Sequence, residues 1–144
     1  MPTSSFVGAW RLVAGETITG SGEINHPFGE DAAGYLIYSP DGYMSVHIMQ
    51  ANRNNFASAD FRAGNPNEKA AAFGTYLSYC GTYEVKGDQV VHHIEISLFP
   101  NWSGTDQTRI FELSGDELII RTAPMTIEGM EQTAQLIWRR VARR

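Results

Sequence analysis

From Thr82 to the end, apolar and polar side chains alternate with period two, and this alternation constrains the fold more than any other feature. Thr82–Lys86, Val90–Phe99, Thr105–Leu113, Glu117–Thr122 and Glu131–Val141 read as five consecutive strands. Gly87-Asp88, Pro100 to Gly104 and Ser114-Gly115-Asp116 supply turn chemistry between them. Upstream, residues 6–20 form one long alternating segment, and Tyr35–Ser39, Pro40-Asp41-Gly42 and Tyr43–Gln50 read as an antiparallel hairpin. That makes eight strands. An antiparallel meander of this size removes its exposed edges by closing, and eight strands leave room for side chains or one small ligand. An all-β, eight-stranded antiparallel up-and-down barrel is therefore expected.

One helix interrupts the meander between its third and fourth strands. Asn65 is placed to cap it, with Pro66 at its first position and Glu68 in its first turn. The helical reading continues to Tyr79, and Phe73, Tyr76, Leu77 and Cys80 recur at spacings that would lay one stripe on the sheet. Ser21–Ala33 reads as a loop long enough to fold over an opening, and Ala51–Gly64 has no sustained period.

At 144 residues the chain suits one domain spanning residues 1–144. Its net charge is −5, and basic residues cluster at the end (Arg139, Arg140, Arg143, Arg144), an arrangement that gives nucleic acid little to bind. No stretch approaches the roughly 20 apolar residues of a membrane helix, and no secretory leader is evident at the start. A soluble cytoplasmic protein, monomeric or homodimeric, is expected. The single cysteine, Cys80, excludes an intramolecular disulfide and reads as a packed small residue.

Strand parity sorts the candidate functional residues. On Val90–Phe99, His92, Ile94, Ile96 and Leu98 share one face while His93, Glu95, Ser97 and Phe99 share the other. One of His92 and His93 must point in and the other out. On the first strand Glu16 falls on the face of Trp10, Leu12 and Ala14. Arg109 shares its face with Phe111 and Leu113, the side expected to point inward. An inward arginine needs an anion or carbonyl, and Glu95, Glu16 or a ligand carboxylate, phenolate or enolate could supply it. His47 alternates with apolar neighbours and is expected in solvent, and His26 lies in the first loop. No CxxC or HExxH spacing supports a metal site, nothing resembles a phosphate-cradling glycine loop, and no cofactor is expected. Ser97 and His93, about 13 Å apart along one strand, are too distant to act as a nucleophile and its base.

Gly8-Ala9-Trp10 on the first strand, with Trp138-Arg139-Arg140 on the last, resembles the lipocalin and calycin signature. GYLIYSPDGYMSV from Gly34 and HHIEISLFPNWSGTDQTR from His92 are similar to the small stand-alone lipocalin-like domain proteins of bacteria and fungi. The resemblance covers nearly the whole chain. It implies an eight-stranded barrel with an internal site, an indole closing its floor and a guanidinium lying across that indole. It also singles out His93, in the string His-x-Glu-x-Ser, as the inward histidine. The chain departs from secreted lipocalins in its helix, its missing disulfide and its lack of a leader, so extracellular transport is not implied.

On this reading the interior holds a small, mostly apolar organic molecule, polyketide- or terpenoid-like. Tyr38, Tyr76, Tyr83, Phe99, Trp102 and Phe111 supply rings, and Glu16, Ser97 and Asn101 supply polar contacts. The expected chemistry is cofactor-independent isomerisation or cyclisation. His93 and Glu95 would move a proton while Arg109 and Asn101 stabilise charge developing on an oxygen. The alternatives are a carrier with the same pocket and no turnover, or a packed interaction module.

Overall fold

The computed structural model describes residues 5–142; residues 1–4 and the basic pair Arg143 and Arg144 lie outside the described residues. Its strands, in chain order, are β1 (Gly8–Thr19), β2 (Ile24–Asn25), β3 (Ala33–Tyr38), β4 (Tyr43–Met49), β5 (Tyr76–Lys86), β6 (Gln89–Ser97), β7 (Asp106–Ser114), β8 (Glu117–Arg121), β9 (Met125–Ile127) and β10 (Met130–Arg140). The sheet runs β2-β1-β3-β4-β5-β6-β7-β8-β10-β9, and β1 pairs with β10 from Trp10↔Arg140 to Thr19↔Gln132. This last ladder closes eight long antiparallel strands into a barrel, with β2 and β9 as short additions. The helix α1 (Pro66–Gly74) follows β4, the third of the eight long strands, because the two-residue β2 also counts in chain order.

Connections at the two ends differ. The turns 39–42, 87–88 and 115–116 close one end tightly, whereas 20–32, 50–75, 98–105 and 122–129 all emerge at the other. The tight end is the floor. There Phe6, Trp10, Trp138, Leu36, Val90 and Leu118 are all but sealed from solvent, each fully buried large side chain contributing roughly 1.5–3 kcal/mol. The Trp10 indole donates to the Phe6 carbonyl at 3.0 Å, and the Phe6 ring meets Phe111 and Tyr38 edge to face. Arg140 lies 4.3 Å from the centroid of the Trp10 ring while its Nη1 and Nη2 donate to the carbonyls of Val7 and Ser5. The floor thus has the indole and guanidinium that the resemblance implied. Gly8 sits at φ 131°, a backbone conformation that favours glycine, and a Cβ there would lie 3.3 Å from the Arg140 guanidinium.

α1 is shorter than its sequence suggests. Asn65 accepts from the Glu68 N–H at 2.8 Å and Glu68 accepts from the Asn65 N–H at 2.9 Å, a complete capping box. At the other end the helix stops at Gly74, and Tyr76–Lys86 is strand rather than helix, with Tyr79 opposite Val46 on one side and Ser97 on the other. A strand laddered on both edges satisfies more backbone groups than another helical turn, which overrides the helical spacing of Tyr76, Leu77 and Cys80. No α1 residue is buried, so the expected stripe against the sheet does not form.

Two bulges decide which side chains enter the barrel. In β1 the register to β10 slips between Leu12 and Ala14, leaving Val13 half exposed. Trp10 and Leu12 point inward before it; Thr17 and Thr19, almost fully buried, point inward after it. In β6, Gly81 pairs with Ile94 and Cys80 with Ile96, so Glu95 is the extra residue.

Candidate functional site

The inward histidine is His92, not His93. His92 is 2% exposed and stands between two buried tyrosines, with Tyr38 Oη 2.7 Å from Nε2 and Tyr79 Oη 2.9 Å from Nδ1. β3, β5 and β6 each supply one member of this chain of groups. Burial, helped by the positive charges of Arg109 and His93, pushes the His92 pKa down to about 3. The ring is neutral at physiological pH. A neutral imidazole donates through one nitrogen and accepts through the other, so one tyrosine donates to His92 and the other accepts from it. Burial also raises both phenols, and Arg109 opposes the rise at each.

Arg109 faces inward as expected. It sits opposite the sealed Val90, and its Nη1 donates to Gln107 Oε1 at 3.3 Å and to the Thr108 carbonyl at 3.2 Å. No carboxylate pairs with it among the described residues. Arg109, Phe111 and Leu113 alternate inward along β7 and keep intermediate exposure.

The bulge at Glu95 reassigns the rest of β6. Before it His92 and Ile94 point in; after it Ser97 does, while Ile96 stands 68% exposed. Ser97 Oγ is buried without a hydrogen-bond partner. Ser97 was expected inside on the same face as His93 and Glu95; it is inside, and they are not. His93 lies on the outer surface between Glu84 Oε2 at 2.6 Å and Asp106 Oδ1 at 2.7 Å, and those contacts, Asp106 foremost, raise its pKa. Glu95 is exposed. Neither reaches the interior, so neither can move a proton on a ligand held in the barrel.

The β1 bulge turns Glu16 outward, where its Oε1 accepts from Gln135 Nε2 at 3.0 Å and its Oε2 lies 3.8 Å from His26. Tyr76 also faces out and shares a hydrogen bond of 2.9 Å with His47, which is in solvent as expected. Tyr38 and Tyr83 are inside, the Tyr83 hydroxyl donating to the Ser39 carbonyl at 3.0 Å. Phe111 packs over the floor. Trp102, in a 3-10 turn at the open end, meets Tyr79 edge to face at 5.8 Å, and Phe99 packs on Trp102 from a more exposed position. Asn101 is exposed in the same turn. The interior set is therefore Tyr38, Tyr79, Tyr83, His92, Ser97, Arg109 and Phe111, with Trp102 at the mouth. Tyr79 falls within the helical reading, and His92, although it shares a face with the apolar Ile94, gives way to His93 in the resemblance; for these reasons the sequence leaves both out of the site.

The lipocalin-like domain family matches residues 7–141, almost the whole chain. The chain belongs to that family. Among its relatives is a 4'-hydroxy-3'-methoxypropiophenone carrier protein from Aspergillus oryzae, 34% identical over an alignment of 109 residues that covers 69% of this chain and 98% of the relative. A solved structure of an uncharacterized protein from Bacteroides eggerthii is 15% identical, with a TM-score of 0.48 over 94% of this chain and 99% of that one. In this lipocalin-like barrel, no described helix is long and apolar enough to cross a membrane, and no described cluster of His, Cys, Asp and Glu could hold a metal ion.

Proposed function

We propose that this lipocalin-like protein carries a small aromatic molecule bearing a phenol or ketone oxygen, and releases it unchanged. The observation that carries this reading is the inner wall itself: aromatic rings surround an arginine without a carboxylate partner and a buried serine hydroxyl without any partner. A buried polar group left unpaired costs about 1–3 kcal/mol, which a ligand oxygen would recover. The tyrosine that accepts from His92 also keeps its own O–H free to donate. A flat ring with one or two oxygens complements such a site.

The neutral imidazole favours carriage over turnover. A general base works best with a pKa near the working pH, and His92 lies far below that with both nitrogens engaged. The carrier named among the relatives handles an aryl ketone, which adds support from a separate direction.

The test is titration with 4'-hydroxy-3'-methoxypropiophenone, followed by tryptophan fluorescence, with chromatography of the recovered ligand. One equivalent should bind, return chemically intact, and bind about tenfold more weakly to Arg109→Met. Conversion of the ligand would reject the carrier reading, and equal affinity in Arg109→Met would reject the assignment of Arg109.

A further inference from the structure

A second site lies outside the barrel, built by the long β4–α1 connection. Residues 50–65 contain no helix or strand, yet the segment is tied down. The Glu68 carboxylate that completes the capping box also accepts from the Ala57 N–H at 2.9 Å, joining the loop to the helix. Phe56 lies against Gly64 so closely that a Cβ there would fall 2.3 Å from the ring, so a side chain at that position would push the ring aside. An ordered loop of this length without secondary structure is uncommon, and such loops are usually functional.

The connection borders an open groove of about 470 Å³ against the outer wall of β5 and the end of β6, a volume within the roughly 300–1,000 Å³ range of small-molecule sites. Phe56, Phe73 and Tyr76 line it together with Arg53, Arg62 and Lys69, and Phe61, 83% exposed, borders it. No lining residue is acidic, although the chain carries a net charge of −5. Arg53 is held in place: its Nε donates to Thr75 Oγ1 and its Nη2 to the Ala72 carbonyl, both at 2.9 Å, and its guanidinium lies 5.1 Å from the Tyr76 centroid. Arg62 and Lys69 form no ion pair among the described residues.

The geometry points to a second binding site here, for a small aromatic anion such as an aryl carboxylate or sulfonate. The rings cover its apolar face, and a guanidinium fixed in advance, with two further cations, meets the charge. This site is independent of the barrel interior, and the two can be occupied at once.

Naphthalene-2-sulfonate and the neutral naphthalene-2-methanol serve as probes, with calorimetry for affinity and amide chemical shifts for location. The sulfonate should bind the intact protein at least about tenfold more tightly than the alcohol, and Arg62→Glu with Lys69→Glu should remove that preference. Phe73→Ala, an exposed position whose replacement leaves the barrel core untouched, should weaken both probes. Ser97→Phe, which fills the interior, should leave sulfonate binding unchanged. Equal affinity for the two probes, no binding of either, or sulfonate binding lost in Ser97→Phe but retained in the charge-reversed variant would each overturn the assignment. None of these results bears on whether Arg109 holds a ligand inside.

Discussion

Gly81, paired with Ile94, runs so close to the backbone of His93 that a Cβ on Gly81 would lie 1.9 Å from the His93 carbonyl oxygen. This approach accompanies the bulge at Glu95, which turns Ser97 into the barrel and leaves His93 and Glu95 outside. Gly81→Ala should therefore lower stability by about 1–3 kcal/mol, read from urea unfolding, because backbone must move to admit the methyl. A neutral result would show that the bulge tolerates a side chain.

The buried Tyr38–His92–Tyr79 chain predicts acid sensitivity. Since the folded pKa of His92 is lowered from 6.5 to about 3, the unfolded chain binds the extra proton between those values. Stability should thus hold near neutrality and fall as pH drops from about 6.5 toward 3, with a slope of up to about 1.4 kcal/mol per pH unit. His92→Phe should be less stable at pH 7 yet lose this slope. Denaturant midpoints across that range check both.

His93 predicts the opposite sign. Asp106 and Glu84 raise its folded pKa, so the stability it adds is complete below the unfolded value of 6.5 and is lost as pH rises through the raised one. In an NMR titration its imidazole should titrate above a free histidine, and Asp106→Asn should bring it down more than Glu84→Gln. The reverse ranking would show that Glu84, not Asp106, does more to hold the proton on His93.

Tyr79→Phe removes one hydroxyl from His92 and leaves a buried ring nitrogen without its partner. A loss of about 1–3 kcal/mol is expected. In a double-mutant cycle with His92→Phe the two losses should not add, because both remove the same bond.

At the floor, Arg140→Ala gives up the contact over Trp10 and two donations to carbonyls near the N-terminus. It should cost about 1–3 kcal/mol in thermal or urea unfolding. Arg140→Lys should recover only part of this, since one ammonium cannot both lie over the indole and span two carbonyls.

Strand count, order and antiparallel closure were legible in the chain, because period-two alternation and turn residues such as Pro40-Asp41-Gly42 act locally. The cap at Asn65 and the inward direction of Arg109 were legible for the same reason: each depends on a few neighbouring residues in an unbroken pattern. Bulges are different. They exist only in the comparison of two paired strands, so the slips after Leu12 and at Glu95 reversed the parity of Glu16 and Ser97 with no signal in either segment. The choice between His92 and His93 likewise fell to the fold. Sequence requires that one of the pair be buried, and only assembly of β3, β5 and β6 brings Tyr38 and Tyr79 to the two nitrogens that make His92 the one that can be.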